Sequence, residues 1–387
     1  MQNKKLRLFF ISQSLASTYF WIAIAIPYFM YRGLTSTQAF SLIAIYNFLG
    51  VIFEYPTGVI GDRYGHKFAT YMSYCLNFLA MAVMSINGGY NLYLSALVLL
   101  ALGNGFFSGN DMGILKSVST NIKRDTAHYN SLQDFVMFLS AIIGGLISRV
   151  SFELALLISG FCMLSASIPL SLLKGGEVQV KNSNSIPSII KEGLGSLRNP
   201  TIKQLFIFIA LFGGYFFSVK SIVGSFVNIH GVSVSTIGIA VGVGGLIRSL
   251  GGKLYAEFQR PNIVGLTILM SSAVLLMGAF PSFATVIGFI YVNQLLFGYI
   301  LSKIDGDIHE FASDHVRASL FSLKRLIARL VASGYLVLYG LAIGANQFSL
   351  MMYGTGIVLM IGVVMARGYL SSKHRSKPVV VEVAEVL

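Results

Sequence analysis

Long apolar runs separated by short polar connectors dominate the chain up to about residue 366. Each run is about 20 residues long, the length at which an α-helix crosses the hydrocarbon core of a bilayer. Inside lipid the backbone must satisfy its own hydrogen bonds, so these runs are predicted to be helices. We expect an all-α polytopic membrane protein with twelve transmembrane spans, over residues 7–31, 36–60, 68–87, 91–114, 128–149, 153–173, 201–228, 234–254, 262–280, 283–303, 317–343 and 347–366.

The composition argues against a soluble domain. Of the 387 residues, 55% are hydrophobic and 11% are charged, and the mean hydropathy is +0.73. Soluble domains carry about 25% charged residues. The first run follows Met1–Arg7 without a small-residue cleavage site, which indicates a retained helix and not a cleaved signal. We therefore expect a multi-pass protein of the cell membrane, inner or plasma, with the lipid bilayer as its surroundings.

The net charge of +13 raises the question of a nucleic-acid partner. Lys and Arg cluster in alternate connectors, however, and the remaining connectors hold only Arg32 and Arg149. This asymmetry follows the positive-inside rule. It predicts cytoplasmic N- and C-termini and no binding of nucleic acid.

The longest polar stretch, residues 174–200, divides the apolar runs into two sets of six. We predict an N-terminal half over residues 1–173, a cytoplasmic linker over 174–200, a C-terminal half over 201–367 and a cytoplasmic tail over 368–387. The halves echo each other weakly, since Tyr31–Thr37 is similar to Ile229–Ser235. Parallel repeats of this kind occur in secondary transporters.

The stretch Glu54–Lys67, which runs from the end of the second span to the start of the third, contains the pattern G-x-x-x-D-R-x-G-x-K. It resembles the loop between helices 2 and 3 of the major facilitator superfamily of membrane transporters. Its glycines, Gly58 and Gly65 among them, would allow close helix approach and a tight turn. Phe107–Asp111 and Arg317–Leu323 resemble segments of a bacterial branch rich in drug and metabolite exporters.

The resemblance implies a gate at the cytoplasmic face. Asp62 would face the positive N-terminus of the eleventh span and Arg317, and Arg63 would pair with Asp111. The alternative is a static surface ion pair, which contributes at most about 1 kcal/mol.

Two carboxylates within the spans are candidates for proton coupling. Glu54 lies in the second span and Asp134 in the fifth. Desolvation favours the neutral form of such a group, so it could load and release a proton. Glu54 also fits a structural role in the stretch Glu54–Lys67.

A basic set and an aromatic and amide set are candidates for substrate binding. Guanidinium groups suit carboxylate or phosphate, which favours an anionic or zwitterionic substrate. The alternatives are that the bases pair within the protein and that the rings face lipid or pack. The candidates are Lys220, Arg248, Arg325 and Arg329, with Tyr19, Trp21, Asn47, Tyr215, Asn293 and Gln294.

We predict a monomeric secondary transporter, not an enzyme, that exports a small amphipathic compound by alternating access in exchange for protons. An anionic, peptide-like or nucleotide-like antibiotic, toxin or siderophore would suit the basic set. No G-x-x-x-x-G-K-[ST] loop or metal-ligand cluster occurs in the sequence, so no cofactor or metal is expected. The alternatives are proton-coupled uptake of an organic anion and a membrane sensor that transports nothing.

Overall fold

The structure, a computed structural model, describes residues 2–173, 200–258, 262–311 and 314–367. These residues form helices and no strand. The predicted linker and tail fall almost wholly outside the described residues. The helices are α1 Gln2–Ala16, α2 Ala25–Tyr31, α3 Ser36–Tyr64, α4 His66–Ser85, α5 Tyr90–Phe107, α6 Asn110–Val118, α7 Ile122–Ile147, α8 Phe152–Ser165, α9 Ser167–Ser171, α10 Pro200–Phe208, a π-helix Ile209–Gly213, α11 Gly214–His230, α12 Val234–Glu257, α13 Ile263–Ala279, α14 Phe283–Phe311, α15 Asp314–Gly344 and α16 Phe348–Met365.

Ten helical spans among the described residues are long and apolar enough to cross a membrane, and Ile263–Ala279 is a shorter apolar helix. This confirms the prediction of an all-helical, multi-pass membrane protein. The count of twelve spans stays a prediction, as does the placement of the termini in the cytoplasm.

The first predicted span, 7–31, is not a continuous helix. Regular helix stops at Ala16 and resumes at Ala25, and residues 17–24 form turns. Pro27 lies in the first turn of α2, where the missing proline N–H costs nothing. If the helix continued towards the N-terminus, the proline ring would clash with the carbonyl four residues earlier. The prediction of one helix was wrong because it did not weigh this proline.

The fourth predicted span, 91–114, is also interrupted. Gly109 has φ +84°, a left-handed conformation that glycine adopts without strain, and it separates α5 from α6. Asp111 falls inside the predicted fourth span. It lies in the first turn of α6, where a negative charge is favourable.

The described residues form two compact units. Unit 1 contains the described residues up to 173 together with Lys220–Leu246 and Tyr339–Ala345. Unit 2 contains the described residues from 200 to 219, Ile247–Leu338 and those from 346 onwards. Unit 1 thus includes segments from both predicted halves, and the division into halves stays a prediction.

Each unit has its own packing. In unit 1, α4 packs against α5 and α8, and α3 packs against α5. A buried cluster that includes Phe9, Tyr74 and Leu170 joins α1, α4 and α9. In unit 2, α13 packs against α14 and α16.

Candidate functional site

The end of α3 that carries the predicted gate packs tightly against α6. A Cβ on Gly61 would lie 2.2 Å from Oδ1 of Asn110, so a larger residue there would displace the Asn110 side chain. The Asn110 side chain is held on both sides: its Oδ1 lies 2.8 Å from Nδ1 of His66 and its amide donates to the Phe106 carbonyl at 2.9 Å. We call this end of unit 1, defined by Asp62, His66 and Asn110, the loop end.

The predicted gating residues surround this contact. Gly65 ends α3 with φ +100°, a conformation that favours glycine. Asp62 is half-buried, and Arg63 is exposed with its guanidinium 5.5 Å from the Tyr64 ring centre. Arg317 lies on α15, but its side chain is outside the described residues. Pairing of Arg63 with Asp111, and of Asp62 with Arg317, stays a prediction.

Asp111 belongs to a buried polar network in unit 1. The Tyr129 hydroxyl donates to Oδ2 of Asp111 at 2.6 Å, and Gln133 donates to that hydroxyl in turn. Gln13 is fully buried beside them, with Oε1 3.4 Å from the Tyr129 hydroxyl and Nε2 3.4 Å from that of Tyr74. The network ties α1, α4, α6 and α7 together around one carboxylate.

The two proton-coupling candidates differ in their surroundings. Glu54 is half-buried on α3, and its Oε1 accepts a hydrogen bond from the Ser108 hydroxyl at 3.1 Å. Ser108 lies in the break between α5 and α6. Asp134 is exposed on α7, so the protein's own packing does not provide the desolvation expected for it.

Unit 1 brings an aromatic pair together near the break in the first span. The rings of Trp21 and Tyr46 meet edge to face with centres 5.8 Å apart. The Asn104 amide donates to the Tyr46 hydroxyl at 2.7 Å. Tyr19 is half-buried in the same break, whereas the Asn47 amide donates to its own helix, at the Ile43 carbonyl.

Unit 2 brings a second polar and aromatic set together. The Asn293 amide on α14 donates to the Tyr215 hydroxyl on α11 at 3.3 Å, and both side chains are buried. The Tyr335 ring stands edge-on to Tyr215, with centres 6.5 Å apart. Oδ1 of Asn293 and Oε1 of Gln294 are sealed from solvent and have no hydrogen-bond partner among the described residues. Buried acceptors of this kind are rare in native proteins.

The predicted basic residues are spread over both units. Lys220 and Arg325 are exposed, and Arg248 and Arg329 are half-buried. The sequence prediction did not find that Lys324 pairs with Asp305, and Lys303 with the buried Asp307. These pairs place two carboxylates beside ammonium groups on α14 and α15.

The opposite end of unit 1 holds a close crossing of α7 and α12. A Cβ on Gly238 would lie 2.5 Å from the Ala141 carbonyl oxygen, and one on Gly145 would lie 3.0 Å from Cα of Gly238. Gly242 faces the Phe138 carbonyl in the same way. Small residues four positions apart let helix backbones approach in membranes. We call this contact the glycine seam, and the end of unit 1 that contains it the seam end.

Two further polar contacts join distant segments of unit 1. Arg149 donates to the Ser235 hydroxyl at 2.6 Å, and the Thr37 hydroxyl donates to the Gly340 carbonyl at 3.1 Å. Thr37 lies in the first turn of α3 and Asp62 in its last turn, so the two residues are roughly 40 Å apart at 1.5 Å rise per residue. Arg149 thus holds the start of α12, and Thr37 separately ties the start of α3 to α15.

Several residues of these sites were missed at the level of sequence. Asn104, Gln13 and Tyr129 are polar side chains among apolar ones, and a polar residue inside a span is a functional candidate by default. The sequence thus marks these residues as candidates, but it does not identify their hydrogen-bond partners, because those partners lie far away in the chain.

Comparison with known proteins gives the family and the fold. Residues 8–333 match the sequence profile described as Major Facilitator Superfamily. No curated protein sequence matches the chain.

Solved structures with the same fold have low sequence identity. A POT family transporter in complex with 5-aminolevulinic acid is 15% identical, with TM-score 0.76 and 94% of this chain and 96% of that chain covered. Nucleoside transporter NupG is 11% identical, with TM-score 0.75 and coverage of 96% and 99%. A bacterial homologue of the human lysosomal transporter Spinster, inward-facing and unoccupied, is 15% identical, with TM-score 0.74 and coverage of 97% and 99%.

Proposed function

Since the chain belongs to the major facilitator superfamily and is a small-molecule transporter, we propose that it exports an amphipathic substrate by alternating access in exchange for protons. The observation that carries the substrate part of this proposal is the Tyr215–Asn293 pair. A buried amide whose oxygen has no hydrogen-bond partner among the described residues is costly unless a ligand or water completes it. A transported molecule with hydrogen-bond donors would do so.

The proposed substrate has both polar and apolar parts. Tyr215, Tyr335 and the stacked rings of Phe216 and Phe297 offer apolar faces in unit 2. Arg248 and Arg329 of the same unit would attract a carboxylate or phosphate. A peptide-like or nucleotide-like anion or zwitterion combines these features. Nucleosides, peptides and 5-aminolevulinic acid appear with transporters of the same fold, and they supply the first compounds to test.

The proposed coupling acts through Glu54, with Asp134 as a second carrier. Glu54 accepts from Ser108, which lies at the break between α5 and α6. A proton on Glu54 would remove the charge that strengthens this bond. Loading and release of the proton would then change how firmly α3 holds the break, and thereby the loop end.

The proposed gate lies at the loop end. Gly61 and Gly65 allow α3, α4 and α6 to meet, and Asp62 and Arg63 stand beside them. In our proposal Asp62 and Arg63 latch this end, with Asp111 and Arg317 as partners, while the glycine seam opens. They hold a conformation and do not select the substrate.

Transport into inverted membrane vesicles tests this function. Radiolabelled uridine, dialanine and 5-aminolevulinate serve as probes, and an acidic vesicle interior drives exchange. We expect at least one probe to accumulate, accumulation to stop when a protonophore collapses the gradient, and Glu54→Gln to lose the gradient dependence. Glu153→Gln, at the seam end, is the matched carboxylate control. Accumulation that survives the protonophore would contradict proton coupling, and accumulation only in right-side-out vesicles would contradict export.

A further inference from the structure

The break in the first span exposes backbone groups in the interior of unit 1. Residues 17–24 lie midway along predicted span 7–31, where non-helical backbone is tolerated only if protein or a polar cavity surrounds it. The Ser159 hydroxyl on α8 donates to the Thr18 carbonyl at 2.5 Å. On another side, α7 approaches so closely that a Cβ on Gly144 would lie 2.1 Å from the Phe20 carbonyl oxygen. Two neighbouring helices thus enclose this segment.

Trp21 places in this break a buried hydrogen-bond donor that has no acceptor among the described residues. Its side chain is 5% exposed, and its indole Nε1 has no hydrogen-bond partner among the described residues. An indole nitrogen can only donate. Leaving such a donor sealed away from water without an acceptor is unfavourable, and native structures rarely do so.

The neighbours of Trp21 are fixed in place. The Tyr46 ring meets the indole edge to face, and the Asn104 amide holds the Tyr46 hydroxyl from α5. The hydroxyl and the amide therefore have each other as partners, and the indole N–H is the group of this trio that lacks one. The three side chains, from the break, α3 and α5, form what we call the Trp21 corner.

We propose that the Trp21 corner binds an uncharged carbonyl oxygen of the transported molecule, carried on a planar group such as an amide or a nucleobase. This deepens the proposed function and rests on it. The three side chains carry no formal charge, so burying a carboxylate against one neutral N–H would be costly. A flat group also suits the aromatic faces of Trp21 and Tyr46.

The single tryptophan makes this proposal directly measurable. Trp21 is the only tryptophan among the 387 residues, so emission excited at the red edge of indole absorption reports on this corner alone. The purified full-length protein is titrated with uridine and with N-acetylalaninamide, which carry uncharged carbonyls, and with acetate. We expect a saturable change and a shift to longer wavelength with uridine or N-acetylalaninamide, because the indole N–H gains an acceptor. Free N-acetyltryptophanamide controls for quenching in solution.

Two outcomes would overturn the proposal: no saturable response to either uncharged compound, or a response to acetate alone. A trapped water molecule that accepts from the indole N–H would produce the first outcome, the lack of a saturable response. Because the titration needs neither a gradient nor transport, its failure is distinct from failure of the proposed function.

A substitution provides the second measurement. Trp21→Phe keeps an aromatic ring and removes the N–H, so we expect KM for the responding compound to rise about tenfold, the effect of one lost hydrogen bond. Tyr31→Phe, an exposed residue at the end of α2, is the control and should leave KM unchanged. An unchanged KM in Trp21→Phe with normal folding would contradict the assignment.

Discussion

Gly58 and Gly61 lie on the same helix, and of the two Gly61 alone is in close contact with another helix. Alanine substitutions at these two positions therefore distinguish the cost of overpacking from the gain in helix propensity. A Cβ at Gly61 would overlap Asn110, whereas nothing lies within 4 Å of a Cβ at Gly58. Overpacking costs about 1–3 kcal/mol, and alanine favours a helix over glycine by about 1 kcal/mol. We expect Gly61→Ala to lower the thermal unfolding midpoint in detergent and Gly58→Ala to leave it equal or higher. Equal midpoints for the two variants would contradict the packing at the loop end.

The hydrogen bond from Tyr129 to Asp111 makes a second residue-scale prediction. Tyr129→Phe leaves a buried carboxylate short of a donor, which costs about 1–3 kcal/mol. Asp111→Asn removes the charge that this hydroxyl stabilises. We expect the two substitutions to be non-additive in a double-mutant cycle of unfolding stability. Additive losses would show that the pair does not act together.

At the residue scale, the sequence predicted which side chains are functional candidates, but it did not predict which side chains they contact. Trp21, Tyr215 and Asn293 were candidates because polar and aromatic groups stand out within apolar runs. That Asn293 faces Tyr215, or that Tyr129 faces Asp111, depends on contacts between distant segments. Periodicity within one helix carries no information about such pairs.

At the element scale, the crossing of α7 and α12 gives a test with a matched control. A Cβ at Gly238 would meet backbone of α7, which cannot rotate away, whereas nothing lies within 4 Å of a Cβ at Gly245 on the same helix. We expect Gly238→Ala to weaken the glycine seam and Gly245→Ala to have no effect. Ser235 is fully buried at this seam, so maleimide labelling of Ser235→Cys reports its opening.

Labelling should be several-fold faster when Gly238→Ala is added and unchanged when Gly245→Ala is added. Cys75 and Cys162 must first be replaced by serine, because both are free thiols. Equal labelling rates in the two backgrounds would show that the close approach of α7 and α12 does not keep this end shut.

The helices themselves were largely predictable from hydropathy, and the two breaks were not predicted. Apolar length locates a span but does not report where a helix is interrupted inside it. The signals were single residues, Pro27 for the first span and Gly109 for the fourth. Both interruptions border candidate functional groups, Trp21 in one case and Ser108 with Asp111 in the other.

At the scale of the molecule, the division predicted from the polar linker differs from the division into compact units. The sequence suggests two halves on either side of residues 174–200, whereas unit 1 also includes Lys220–Leu246 and Tyr339–Ala345. These segments pack against the first half through the glycine seam and through Thr37 and Gly340. A transport cycle by alternating access requires such contacts to break and reform.

The most direct test of alternating access is a distance measurement across the seam end. Spin labels at Val150→Cys and Ser233→Cys, both exposed, flank the ends of α7 and α12 in a protein without its native cysteines. We predict a short and a long population, with the long one depleted by Asp62→Asn if Asp62 latches the loop end as proposed. Gly238→Leu should enrich the long population. A single short distance in the doubly labelled protein, in its Asp62→Asn variant and in its Gly238→Leu variant would contradict alternating access at the glycine seam.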